Sequence, residues 1–223
     1  SKEQCRAVWE EQYDYTYRTV VANADNFLAV RILSRYPLNF RSPHELLDAI
    51  DRLSEPMQQY YMIRRHLKPQ VERQVRTAEG ETYFDIEAEN PAGETVSLRQ
   101  AVENPANNYV LVDFWASWCG PCMGEMNHLK ELYEKYRPAG LEIYGVSLDS
   151  QRQPWIEAIG KKQMPWINVS NLDGWETGLK SYGVMSLPSY VLIRCSDGRI
   201  VARMPKGTLS GAPTAEIEEL LGK

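Results

Sequence analysis

The sequence predicts an α/β protein: a central mixed sheet flanked by helices, preceded by an all-helical N-terminal region. Residues 2–76 carry helical spacing of apolar side chains. Residues 109–162 alternate apolar runs with helical segments, as a parallel βαβ unit does. Ser196-Asp-Gly-Arg199 then sets a hairpin turn between the apolar runs 190–193 and 200–204, which adds antiparallel strands. With 223 residues, 43% of them hydrophobic and 10% aromatic, the chain can bury a core in two modest domains, drawn here as 1–76 and 77–223.

The first helix is expected from Lys2 to Ala22, a run without Gly or Pro in which Cys5, Val8, Trp9, Gln12, Tyr13 and Tyr17 share one side. A polar break at 23–26 supplies caps, and Phe27 to Tyr36 continues helically until Pro37 closes it. Ser42-Pro-His-Glu45 reads as a capping box opening a helix to about Leu53. Ser54-Glu-Pro56 opens another, which Pro69 is expected to interrupt before a polar tail to about Arg76. His44 and His66 each stand alone in their segment and read as a cap-adjacent and a packed histidine rather than as ligands.

Beyond a boundary at 77–81, short strands are expected at 83–87 and 96–98, a helical turn at 99–102 and a central strand at 109–114. A helix from Gly120 to Arg137 carries the apolar stripe Cys122, Met126, Leu129, Leu132, Tyr133 and Tyr136, and Pro138 and Gly140 end it. A buried strand at 141–148 and a helix at 151–162 follow, then an aromatic-rich stretch at 163–183 with no element assigned. A last helix spans 212–221.

The chemistry sits where the central strand meets its helix, in Val112-Asp-Phe-Trp-Ala-Ser-Trp-Cys-Gly-Pro-Cys122. Residues three apart on a helix share a face, close enough for a disulfide to open and close between Cys119 and Cys122. Cys119 stands at the helix N-terminus, where unpaired N–H groups and the dipole favour a thiolate, the attacking species in exchange. Asp113 interrupts an otherwise apolar strand, where burial should raise its pKa.

This run resembles the active site of thioredoxins nearly residue for residue, and the resemblance extends from about Thr77 to the C-terminus. Glu125, three residues after the second cysteine, resembles the TlpA-like branch of bacterial extracytoplasmic thiol-disulfide oxidoreductases, as does the lead-in Asn90-Pro-Ala-Gly-Glu-Thr-Val-Ser-Leu98. The chain departs from that branch at Asn127, where proline is usual, and at 83–86, which lacks an Ala-Pro pair. The resemblance implies Cys119 as nucleophile, Cys122 as resolving cysteine, and Asp113 and Glu125 as candidate bases for Cys122. It implies Trp118, Gly120, Pro121, Leu187 and Pro188 as the substrate-binding set, with Pro188 in a cis peptide that leaves Leu187 backbone groups for an extended substrate. Trp115 and Trp118 are expected to pack around the site. The Gly120-Pro121 pair is similar to that of reducing thioredoxins. The partners implied are a protein disulfide and an upstream electron-donor protein, in a periplasmic or otherwise extracytoplasmic setting that leaves room for a membrane anchor outside this chain. No cofactor beyond the Cys119–Cys122 disulfide and no metal is implied.

Net charge of -5 offers no basic stripe for nucleic acid or an anionic membrane surface. Residues 1–76 carry twelve Lys/Arg against ten Asp/Glu, and the remainder thirteen against twenty. Cys5 and Cys195 stand apart and read as bystanders, and no histidine lies at zinc-finger spacing from Cys119 and Cys122. The chain opens at Ser1, as a processed product or fragment would, so the missing basic-then-apolar leader carries no weight. A thiol peroxidase would need Pro at position 112 and Thr at 116, where Val112 and Ala116 stand. A noncatalytic peptide-binding or chaperone-like module is the other alternative, and full activity in a double Cys-to-Ser variant would favour it.

Overall fold

The computed structural model describes residues 2–204 and 211–222, with side chains from Ala7 onward; the Cys5 side chain lies outside the described residues. The chain divides into two compact units, one formed by Ser1–Val75 and the other beginning at Arg76. Among the described residues no helix is long and apolar enough to cross a membrane.

In the first unit, α1 (Lys2–Ala22), α2 (Phe27–Arg35), α3 (Pro43–Asp51) and α4 (Glu55–Gln58) are followed by a π-helical turn at Met62–Leu67 and α5 (Lys68–Arg76). Asn26 caps α2 by accepting the Leu28 N–H, and Ser42 caps α3 by accepting the Glu45 N–H. The Glu45 carboxylate reaches back to the N–H of Arg41 rather than of Ser42. Leu33, Ala49, Ile50, Ile63 and Val71 form the apolar interior of the unit. Pro69 does not interrupt the last helix. The π turn precedes it, the Lys68 N–H bonds to the Ile63 carbonyl five residues back, and this wider spacing accommodates a ring that would collide with the carbonyl four residues back. The helical path breaks earlier, at 59–60.

The second unit is built on a five-stranded sheet in the order β5 (Ile167–Val169), β4 (Leu141–Ser147), β3 (Tyr109–Trp115), β6 (Ser189–Arg194), β7 (Arg199–Met204). β3, β4 and β5 run parallel, β6 is antiparallel to β3, and β7 is antiparallel to β6. Every residue of β4 is buried, and all of β3 beyond Tyr109, which explains their nearly unbroken apolar sequences. Flanking helices are α6 (Leu98–Val102), α7 (Gly120–Tyr136), α8 (Arg152–Lys162), α9 (Glu176–Tyr182) and α10 (Thr214–Leu221). The stripe on α7 is buried as read from sequence, except that Tyr133 is only partly so. With Asn127 in place of proline, α7 runs unbroken through the active-site turns.

The strand expected at 83–87 starts only at Glu87, where β1 (Glu87–Glu89) pairs with β2 (Thr95–Ser97). Residues before it are held otherwise. The Tyr182 hydroxyl donates to the Phe84 carbonyl at 2.7 Å and accepts the Phe84 N–H at 3.0 Å, taking the place of a strand partner. The same lead-in touches both margins of the sheet. Gly80 N–H bonds to Ile200, Thr82 bridges Arg199 and Tyr83 N–H bonds to Gly198 along β7, while Glu89 bridges Ser170 just past β5.

One register row crosses the sheet through Asn168, Gly145, Asp113, Tyr190 and Met204. Directly paired residues project from the same face. Glycine fits that row closely: a Cβ at position 145 would lie 3.1 Å from Asn168 Oδ1 and 3.2 Å from the indole nitrogens of Trp115 and Trp166, so these side chains would have to give way by a few tenths of an ångström.

Candidate active site

β3 ends at Trp115, and four residues later Cys119 forms the N-cap of α7 in an extended conformation. Its Sγ accepts the Cys122 N–H at 3.2 Å, satisfying one of the orphan donors of the first turn. Pro121 sits in that turn, where its missing N–H costs nothing. Cys119 and Cys122 form a disulfide with Cα atoms 5.3 Å apart. Cys119 retains 6% of its surface to solvent and Cys122 none, so one sulfur is approachable and the other is not.

Asp113 is wholly buried in β3, the strand that leads to this helix, and neither carboxylate oxygen has a hydrogen-bond partner among the described residues. Burial, and secondarily the charge of Glu125, pushes its carboxyl up to about 8. Glu125 is partly exposed on α7, one turn past Cys122. The Leu187–Pro188 peptide is cis. Ser189 pairs with Phe114, so Pro188 lies beside the end of β3 from which the chain departs towards Cys119. The Ser189 hydroxyl donates to the Ser186 carbonyl at 2.7 Å and fixes this bend.

The two tryptophans do not pack around the site together. Trp115 is fully buried, whereas Trp118 is 58% exposed, its ring centroid 6.2 Å from that of Trp175. Cys195 is half-buried, and burial pushes its thiol up to about 11, so it stays protonated at neutral pH.

Asp149 belongs to the site and was missed in the sequence. It is 2% exposed and accepts bonds from Ser117 N–H at 2.9 Å, Ser117 Oγ at 2.6 Å and Ser147 Oγ at 2.7 Å. These bonds hold the loop that delivers Trp118 and Cys119. The available signal was its position just past the C-terminal end of a buried parallel strand, where functional loops of such sheets gather. Asp149→Ala strands these donors and should lower unfolding stability by about 1–3 kcal/mol in urea titrations, with slower thiol exchange. Unchanged stability would argue against this role.

A parallel–antiparallel sheet whose central strand runs into a helix capped by half of a disulfide defines a thiol–disulfide redox protein. A family model described as thioredoxin-like matches residues 107–200. The thiol-disulfide oxidoreductase ResA of Bacillus thuringiensis subsp. konkukian is 34% identical over 115 residues, 51% of this chain and 62% of ResA. This chain thus spans less than two thirds of the length of that relative. A thiol-disulfide oxidoreductase from Bacteroides fragilis superposes with a TM-score of 0.54 at 31% identity, over 63% of this chain and 100% of the other. The thioredoxin domain of a thiol-disulfide oxidoreductase from Bacteroides vulgatus gives 0.54 at 29% identity, over 65% and 96%. The chain belongs to the thioredoxin-like family of thiol-disulfide oxidoreductases.

Proposed function

We infer that this chain reduces protein disulfides by dithiol–disulfide exchange, in an extracytoplasmic compartment of a bacterial cell. The observation that carries this reading is the N-cap position of Cys119: the Cys122 N–H that its sulfur accepts, together with the α7 dipole, would stabilise a thiolate once the disulfide opens. The Cys119 thiolate attacks one sulfur of the substrate disulfide, forming a mixed disulfide and releasing one substrate thiolate. Cys122 then gives its proton to Asp113, and its sulfur attacks Cys119; the Cys119–Cys122 bond forms and the second substrate thiolate leaves. Burial of Cys122 opposes its ionisation, so a carboxylate titrating near neutrality beside it is suited to the task. Glu125 acts from the more open side of the same helix. The cis peptide at Pro188 leaves Leu187 backbone groups to pair with an extended substrate segment, with Trp118, Gly120 and Pro121 along the opposite side. An upstream electron-donor protein restores the dithiol. The redox-active disulfide is itself the working group, with no cofactor required, and the extracytoplasmic setting is carried over from the TlpA-like resemblance.

Equilibration of the Cys119/Cys122 pair in thiol buffers, read by tryptophan fluorescence, should give a potential near about -270 mV, as expected of a reductase. A value near about -120 mV would instead make the chain a disulfide-forming oxidant.

A further inference from the structure

Tyr190 is a second polar group under α7 for which the exchange reaction has so far required no role. It is fully buried, and its hydroxyl has no hydrogen-bond partner among the described residues. It pairs directly with Asp113 across the antiparallel β3–β6 ladder, so both side chains rise from one face of the sheet as nearest lateral neighbours. Two adjacent buried groups, one a donor and the other an acceptor when ionised, are each without a partner. Leaving both unsatisfied is the costliest arrangement available to them.

The groups facing Asp113 are few. Among the described residues, Tyr190 of β6 pairs with it and Glu125 of α7 acts on it by charge; Gly145 on the other flank has no side chain, the space above it being taken by the indole nitrogens of Trp115 and Trp166 and by Asn168 Oδ1, and Met204 beyond Tyr190 has no charge. The phenol is the group paired directly with Asp113, and it brings a neutral O–H that can serve a carboxylate without adding charge of its own. Burial, with Asp113 and then Glu125 nearby, pushes the phenol's own titration far upward, so it remains a donor across the working pH range.

We propose that Tyr190 is a positioning residue for the exchange reaction: its hydroxyl donates a hydrogen bond to the ionised Asp113 carboxylate, across at most one bridging water, and so sets the pH at which Asp113 takes the proton of Cys122. The phenol keeps its proton throughout. It does not touch the reacting sulfurs; it acts through Asp113, and its catalytic meaning rests on the reading of Asp113 as the base.

The test separates the two. In the full chain with the Cys119–Cys122 disulfide closed, the Asp113 carboxyl carbon is followed by 13C NMR from about pH 5 to about pH 10, assigned by its loss in Asp113→Asn. Tyr190→Phe should raise the Asp113 midpoint by about one pH unit, a tenfold change in its acid constant. The pH midpoint of disulfide exchange should move by the same amount, and Tyr190→Phe should change nothing in an Asp113→Asn background. An unmoved Asp113 midpoint overturns the proposal, all the more if the variant melts at a higher temperature, because the hydroxyl would then have had no partner to lose. In the unsubstituted chain the Tyr190 Cζ resonance should move with the Asp113 midpoint, and a resonance indifferent to it overturns the proposal as well. If the chain does not exchange disulfides at all, the redox reading fails, while the titration in the closed-disulfide state still decides the role of Tyr190.

Discussion

Cys122→Ser should stop turnover and leave the chain covalently joined to its substrate. Cys119 keeps its place at the α7 N-terminus and its residual access to solvent, so the first attack proceeds. The sulfur that would resolve the adduct is gone, and serine at the same buried position is far too weak a nucleophile to replace it. Turnover should fall by about three orders of magnitude or more, and a mixed disulfide should accumulate that non-reducing mass spectrometry detects and a small thiol releases. Cys119→Ser should be equally inactive but form no adduct. An adduct on Cys119→Ser, or none on Cys122→Ser, would reverse the roles assigned to the two sulfurs.

Asp113 should make the protein less stable as the solution becomes more alkaline. Its carboxyl titrates at about 8 in the folded chain against an ordinary 3.8, so between these values the folded state holds a proton that the unfolded state has released. Stability is therefore greatest below about pH 4, falls as pH rises through the window, and levels off once the folded group also ionises. A displacement of about four units corresponds to roughly 5 kcal/mol, undiminished by solvent screening because the group is fully buried. Asp113→Asn removes the titration and should be more stable than the unsubstituted chain near pH 9 by several kcal/mol, with a much smaller difference near pH 4. Urea titrations at the two pH values check this, and parallel curves for the two proteins would refute it. The same substitution should slow resolution by about a hundredfold near neutrality.

The parts of the fold that were legible in the sequence are those where one physical signal dominates. β3 and β4 announce themselves because strands buried on both faces must be apolar throughout, and Asp113 stands out for the same reason. The cis peptide at Pro188 was reached through the thioredoxin resemblance, not from composition. Elements carried by tertiary partners were not legible. β5 has only three residues, and α9 is short, lacks a side-chain cap and contains Gly178, whose absent side chain allows Val184 to approach. The irregular path at 83–86 depends on a hydroxyl about a hundred residues away in Tyr182, and no local pattern encodes that. Asp149 and Tyr190 escaped because their importance lies in whom they meet: one gathers Ser117 and Ser147, the other lies opposite Asp113.

The lead-in that bonds to β7 near Gly80 and Tyr83 and to the end of β5 at Glu89 has a colloidal consequence. The outermost strands of an open sheet present rows of unpaired amides that can template the addition of a foreign strand and, repeated from molecule to molecule, fibril growth. A protein that reduces disulfides in extended substrate segments, as proposed above, would meet such strands constantly. The backbone bonds from residues 80–83 to 198–200 and the Glu89–Ser170 bridge discourage pairing at those points of the two flanks and leave the bend before β6 as the place where a substrate segment would align, so that binding a substrate would not turn into co-aggregation with it.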